Sequence, residues 1–230
     1  MRALAEIVTI DGPSGGGKST ISRLLAKELG FAFLDTGAMY RAVGLAVQRA
    51  GLAVAEGEPL ATLLAGLEID LVATAGDTGV ILNGEDISAA IRSPEMAMLA
   101  SRVSALPMVR SYLTDLQRQI GAKGGVVTEG RDTGTVVFPS AAHKFFLDAS
   151  PEERARRRVA QLREQGRQVD ETEILAQIIE RDQADSNRAH APLKAAFDAV
   201  IVDSSHLDIA GVVALMLDQV KRNRNAQGAP

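Results

Sequence analysis

Gly12-Pro13-Ser14-Gly15-Gly16-Gly17-Lys18-Ser19-Thr20 is the stretch on which the reading of this chain turns. It follows the apolar run 7–11 and precedes a helical pattern over 19–30. Gly12, Gly17, Lys18 and Ser19 fit Gly-x-x-x-x-Gly-Lys-Ser in the strand-before, helix-after context of a phosphate-binding loop. Gly15, Gly16 and Gly17 carry no Cβ, so backbone N–H groups can turn inward and approach phosphate oxygens. The start of the following helix adds partial positive charge. Lys18 is placed for the β and γ phosphates and the Ser19 hydroxyl for Mg²⁺. A plain glycine-rich turn would need neither lysine nor serine at this spacing. The loop implies a nucleoside triphosphate and leaves the reaction open.

Composition narrows the class. A chain of 230 residues with 46% hydrophobic content suits one α/β domain with insertions. There is no cysteine, which excludes a disulfide framework, a thiolate metal site and a cysteine nucleophile. A net charge of −4 and the absence of tryptophan argue against a protein that coats or stacks on nucleic acid. The residues up to Asp11 lack a charged segment followed by an apolar one, and no run reaches about eighteen apolar residues. A soluble cytoplasmic monomer with no membrane or nucleic-acid partner is expected.

Working outward from the loop, residues 31–34 read as a second strand that delivers Asp35-Thr36-Gly37 to the carboxyl edge of a sheet, where open α/β folds bind ligands. A helix is expected over 39–50, with Arg41 in its first turn, opposed to the helix dipole and better explained by an anion. Runs 68–73 and 79–82, separated by a glycine-containing turn and followed by Asn83-Gly84, predict a small antiparallel insert. Ser93-Pro94 caps a helix, Pro107 opens another, and Ser101 and Arg110 fall on them. Residues 125–128 form a third buried strand ending in Glu129-Gly130-Arg131-Asp132, and 144–147 a fourth. Ser150-Pro151-Glu152-Glu153 reads as a capping box opening a helix that carries Arg154, Arg156, Arg157 and Arg158, with Arg163 and Arg167 beyond. So many adjacent arginines cannot share one solvated face. Asp170 and Glu173 open the next helix, which places Arg181, Asp185 and Arg188 on one face. A strand at 200–202 and a helix from about Asp208 complete the pattern, with a frayed polar tail from Asn223.

Arg41, Arg110, Arg131, Arg181 and Arg188 form a second set of cations, which suggests a second substrate that itself carries phosphate, held by bidentate guanidinium forks. A phosphate monoester is mostly dianionic at neutral pH, so such an acceptor needs no general base. The chemistry then reduces to aligning two polyanions and offsetting the charge on the transferred group, with the arginine-rich helix as a closing lid.

Five blocks, IDGPSGGGKST, FLDTGAMYRA, EGRDTGTVVFP, FLDASPEERARRR and ERDQADSNRAHAPL, run in order through residues 10–193. Together they resemble the bacterial cytidylate kinases, which move the γ-phosphate of ATP to CMP or dCMP. EGRDTGTVVFP is the block most particular to that family. The resemblance implies a P-loop α/β/α fold with a central parallel sheet, a small antiparallel β insert and a helical lid. As one kinase domain, its core would be about 1–35, 121–150 and 196–223, its monophosphate-binding region 36–120, its lid 151–195 and its tail 224–230. It further implies that residues 12–20 bind ATP and that Ser19 ligates Mg²⁺. Arg41 and Arg131 would hold the CMP phosphate beside Thr36, where the family often has serine. Ser101, Arg110 and Asp132 would read the base, with Arg188 assisting, and Arg181 and Asp185 would contact the sugar. Lys18, Arg131 and a lid arginine, with Arg157 preferred, would serve catalysis. Two rivals are weighed against this. A P-loop kinase acting on a hydroxyl with Asp35 as base leaves the second arginine set unexplained. A GTP-binding switch would call for an Asn-Lys-x-Asp motif, which the chain lacks.

Overall fold

The computed structural model describes residues 6–74, 77–164 and 166–227. In chain order its elements are β1 (Ile7–Asp11), α1 (Lys18–Leu29), β2 (Ala32–Asp35), α2 (Thr36–Arg49), α3 (Glu58–Ala65), β3 (Ile69–Thr74), β4 (Asp77–Leu82) and β5 (Glu85–Asp86). There follow α4 (Pro94–Val103), α5 (Pro107–Gly121), β6 (Val126–Gly130), β7 (His143–Asp148), α6 (Pro151–Glu164), α7 (Glu171–Asn187), β8 (Val200–Asp203) and α8 (Ile209–Gln227). A 3-10 turn spans Ala90–Arg92 and a π-helical turn Thr133–Val137. The elements form two compact units: one holds the described residues up to Ala32 and from Gly125 onward, the other Phe33–Gly124.

The first unit is built on parallel strands in the order β6-β1-β7-β8, flanked by helices. Val8, Thr9 and Ile10 are fully buried, as a central strand covered on both faces requires. Register aligns Asp11 of β1 with Gly130 of β6, and Asp11 with Phe146 of β7. The chain therefore leaves β1 into the phosphate loop and leaves β6 into Arg131-Asp132 at one level of one sheet edge. Ala32 donates to the Gly125 carbonyl at 2.8 Å, so the chain departs from this unit beside the start of β6. Helix α1 buries Ile21, Leu25 and Ala26 and ends on Gly30 in the left-handed region, φ 68°, as expected.

Two expectations in this unit need correction. The C-terminal helix, capped by the Asp208 carboxylate on the Gly211 N–H at 2.7 Å, continues to Gln227 instead of fraying from Asn223. Its last turns are held by Arg224, which is paired with Glu6 at 2.7 Å and lies over the Phe31 ring, and by Asn223 beside the His143 ring. Polar composition hid these partners; residues 228–230 lie outside the described set. The capping box at Ser150 forms only by half. Its hydroxyl accepts from the Glu153 N–H at 3.2 Å, but the Glu153 carboxylate turns to Arg156 and Arg157.

In the second unit, α2 buries Ala38, Met39, Ala42, Val43, Ala46 and Val47. Helix α2 starts three residues earlier than the sequence suggested, because Asp35 is its N-cap and accepts from the Ala38 N–H at 2.8 Å. Arg41 consequently sits in the second turn, and the argument from an opposed dipole does not apply to it. The insert is an antiparallel β3-β4-β5 sheet. Asn83 and Gly84, both at positive φ (48° and 84°), make its second turn. The first turn, at residues 75–76, lies outside the described residues. Helix α3 was not anticipated, although Pro59 in its first turn is a start signal. Ser93 caps α4 by accepting from the Met96 N–H at 3.2 Å, and Pro107 opens α5, as expected.

Candidate active site

The loop between β1 and α1 owes its shape to close approaches. A Cβ on Gly12, whose φ is 149°, would lie 2.0 Å from the Leu147 carbonyl oxygen of β7, so no other residue fits there. A Cβ on Gly15, at φ 78°, would lie 3.4 Å from the Arg154 Cβ and 3.9 Å from the Ile178 methyl, so the loop tip runs close to α6 and α7. Lys18 is buried, and its ammonium donates to the Pro13 carbonyl at 2.6 Å. Burial, followed by the nearby Arg131 and Arg181 charges, pulls its pKa from 10.5 to about 7, against the opposing pull of Glu129 and Asp11. The Glu129 and Asp11 charges do not offset the burial of the ammonium. Ser19 is exposed in the first turn of α1.

Beside the loop, the segment after β6 is held by a residue the sequence reading passed over. Asp11, the last residue of β1 and fully buried, accepts from the Thr133 N–H at 2.9 Å, the Thr133 hydroxyl at 2.8 Å and the Gly134 N–H at 2.7 Å. Burial raises its pKa despite these bonds. The clamp pins the π-helical turn immediately after Arg131 and Asp132. The signal was a carboxylate ending an apolar run, which a purely structural strand would avoid.

Arg131 and Asp185 form an ion pair at 2.8 Å, Arg188 lies 3.9 Å from the other Asp185 oxygen, and Arg188 lies 3.6 Å from Asp132. Burial alone would raise the Asp185 pKa, but Arg131, Arg181 and Arg188 hold it below the ordinary carboxylate range. Arg181 donates to the Ser14 hydroxyl at 3.1 Å. Lys18, Arg131, Asp132, Arg181, Asp185 and Arg188 are thus gathered in the first unit. Arg188 is not on the helix face predicted for it: it is the C-cap of α7, with ψ 141°. It converges because its guanidinium donates to the carbonyl of Ala191, a non-glycine residue at φ 49°. Strain of that kind is concentrated at functional positions.

In the second unit, Arg41 pairs with Asp35 at 3.1 Å, while its buried Nε has no hydrogen-bond partner among the described residues. Thr36 is buried at the first position of α2. Arg110, also buried, donates to the Ser104 carbonyl at 3.2 Å and lies over the Tyr40 ring at 5.9 Å; the Ser104 hydroxyl in turn donates to the Ser101 carbonyl. Ser101 and Arg110 are therefore linked through Ser104. Both Asp35 carboxylate oxygens are committed, to Ala38 and to Arg41, which removes support for Asp35 as a general base.

The arginines of α6 separate sharply. Arg154, only 3% exposed, donates to the Ala149 carbonyl at 2.9 Å and the Ser14 carbonyl at 3.0 Å and pairs with Asp182 at 2.6 Å. Arg157, the preferred lid arginine, instead donates to Glu153 at 2.8 Å and to the hydroxyl and carbonyl of Ser204 at 3.1 and 2.6 Å. Ser204 follows β8, two strands from β1, or roughly 10 Å. Arg154 and Arg181, rather than Arg157, are brought against the phosphate loop. No spacing rule separates neighbouring arginines by partner; only the tertiary contacts do.

No helix among the described residues is long and apolar enough to cross a membrane. Residues 8–222 match the family model described as Cytidylate kinase. The cytidylate kinase of Syntrophotalea carbinolica is 53% identical over 214 residues, 93% of this chain and 91% of that protein. That of Geobacter sulfurreducens is 51% identical over 224 residues, 97% and 96% of the two chains. The solved gluconokinase of Sinorhizobium meliloti superposes with a TM-score of 0.51 at 15% identity, covering 99% of this chain and 100% of that one, a likeness of fold alone. With the loop, the arginine–carboxylate cluster and these relatives in hand, the chain belongs to the cytidylate kinase family.

Proposed function

We propose that the protein is a phosphotransferase that moves the γ-phosphate of ATP to CMP or dCMP. The observation that carries this reading is the Arg131, Asp132, Asp185 and Arg188 cluster at the same sheet edge as the phosphate loop. It is a second site for a phosphate-bearing ligand beside the first.

The loop N–H groups and Lys18 bind the ATP phosphates, and a bound polyanion relieves the penalty on the buried Lys18 charge. Arg131 and Arg41 grip the acceptor phosphate, with Thr36 beside it and the Arg41 Nε, which has no hydrogen-bond partner among the described residues, as one available donor. That phosphate is its own nucleophile, so no side chain removes a proton. Asp132 accepts from the cytosine amino group, and Arg110 donates to the N3/O2 edge with Ser101 and Arg188 in support. Arg181 and Asp185 hold the sugar. Arg154 fixes the loop from beneath, and Arg157 holds the end of β8. The exposed Ser19 hydroxyl suits Mg²⁺, which needs few protein ligands when phosphates and water supply the rest. The ion would offset charge on the β and γ phosphates.

Steady-state assay of CMP, dCMP, UMP, AMP, shikimate and gluconate as acceptors tests the proposal. A preference for CMP and dCMP is expected; an absence of cytidine preference overturns it.

A further inference from the structure

We infer that Ser14 is a positioning residue that couples the two substrates: its hydroxyl orients Arg181 for the acceptor while its backbone belongs to the loop that takes the donor. The inference rests on the function proposed above.

Two arginines from different helices meet at this one residue of the loop tip. The Arg181 guanidinium donates to the Ser14 hydroxyl at 3.1 Å, and the buried Arg154 guanidinium donates to the Ser14 carbonyl at 3.0 Å. Arg154 is itself fixed by Asp182, the residue next to Arg181, at 2.6 Å, so α7 reaches Ser14 both directly and through α6. Next along the chain, a Cβ on Gly15 would meet Arg154 and Ile178, so the backbone there runs close to both helices. Arg181 also stands where both half-reactions feel its charge, since it acts on Lys18 on one side and on Asp185 on the other.

An arginine side chain has many rotamers, and a fixed hydrogen bond at one guanidinium nitrogen removes much of the ordering cost of binding a ligand with the others. For Arg181 that bond is to the donor loop. Phosphates bound to the loop N–H groups hold Ser14 still, so Arg181 is better ordered when ATP is present. Coupling of this kind is reciprocal: ATP tightens CMP and CMP tightens ATP by the same factor.

The test compares wild type, Ser14→Ala, Ser14→Thr, Arg181→Met and the double variant Ser14→Ala/Arg181→Met, in steady-state kinetics and in calorimetric titration of CMP with and without a non-hydrolysable ATP analogue. Ser14→Ala is expected to raise the KM for CMP at saturating ATP about tenfold, the loss typical of a hydrogen bond to a charged group, and the KM for ATP at saturating CMP by a comparable factor, while calorimetric affinity for the ATP analogue without CMP falls far less. Ser14→Thr, which keeps the hydroxyl, should restore most of it. In the Arg181→Met background the Ser14 change should add almost nothing, because the two residues act as one unit. The tightening of CMP by the analogue should be present in wild type and lost in Ser14→Ala. A loss of affinity for the ATP analogue without CMP as large as the rise in the KM for CMP, or full additivity with Arg181→Met, would show Ser14 to be a loop residue only and overturn the inference. Wild type that transfers to neither CMP nor dCMP would remove the proposed function itself, and the coupling with it.

Discussion

The phosphate loop and the arginine–carboxylate cluster share a sheet edge and a chemistry, yet they are built in opposite ways. The loop draws its anion-binding groups from one run, residues 12–20, and leaves its cation poorly served: buried Lys18 donates to the Pro13 carbonyl, and burial takes its pKa down to about 7 against the pull of Glu129 and Asp11. The cluster draws on side chains 54 positions apart, and its cations are already neutralised, Arg131 and Arg188 by Asp185 and Arg188 by Asp132. A loop of the first kind is held in tension until an anion arrives and so supplies affinity. A cluster of the second kind exchanges one partner for another, which contributes little net energy and much geometry.

Removing the tension should give the largest effect. Lys18→Met is expected to lower kcat by about 10²–10³-fold or more, in the range for one transition-state cation or donor, while calorimetry still detects CMP binding. Loss of CMP binding in parallel would mean that the two sites are not separable. The pH dependence has a definite sign. Because the folded pKa of about 7 lies below the ordinary value of 10.5, the unfolded chain holds the extra proton between these limits, and stability of the nucleotide-free protein rises with pH across that window. Thermal melts from pH 7 to 9 should show a rise that Lys18→Met lacks. ATP binding at pH 8 should take up close to one proton, readable from calorimetry in buffers of different ionisation enthalpy; no uptake would mean that the phosphates leave the Lys18 amine as it was.

Breaking the cluster should cost less. Asp185→Asn keeps the shape and a sugar acceptor but strands Arg131, Arg181 and Arg188 with their charges facing one another. Efficiency with CMP and with dCMP should fall alike, about tenfold to a hundredfold, as expected for charge-assisted bonds. A loss confined to CMP would reduce Asp185 to a contact with the ribose 2′-hydroxyl. Its folded pKa is lowered, so its contribution to stability is present above the usual carboxylate range and disappears as pH falls through the folded value. Wild type and Asp185→Asn should converge in acid.

The same contrast decides what the sequence made legible. The loop, the parallel strands and the antiparallel insert are local patterns of glycine, apolar runs and turns, and each can be read from a few consecutive residues. The cluster was legible only as a set of residue types, because pairing between Arg131 and Asp185 is a property of β6 and α7 packed together. Arg188 shows the limit: a helical count put it on the face of α7, whereas it converges only because the chain leaves the helix there and strains at Ala191. Asp11 and Arg154 went unassigned for the same reason, since their partners Thr133 and Ser14 are remote in sequence. The start of α2 lies earlier than its apolar pattern suggests because Asp35, at the end of β2, is also the helix cap.

A smaller effect separates reading from gripping within the cluster. Asp132→Ala should cost discrimination between CMP and UMP by about 1–3 kcal/mol, roughly fivefold to 150-fold, while activity on UMP changes less. Equal losses for both pyrimidines would make Asp132 a tether for Arg188 and no reader of the base.

The smallest change is expected at Arg157, and it bears on which arginines of α6 belong to the loop. Its three contacts, to Glu153 and twice to Ser204, hold the end of β8, and it is 28% exposed, so Arg157→Ala should cost about 1 kcal/mol of stability and leave kcat within about threefold of wild type. Arg154→Ala should do more in both respects, since it removes a buried charge from Asp182 and the support beneath the Ser14 carbonyl. Melting curves and kcat for the two variants give the comparison directly. If Arg157→Ala instead loses kcat a hundredfold with its melting temperature intact, Arg157 must leave Ser204 during turnover and α6 must move as a lid. The contacts of Arg154 would then mark the fixed end of that motion, because its anchors on the Ala149 and Ser14 carbonyls hold the first turn of α6 to the loop.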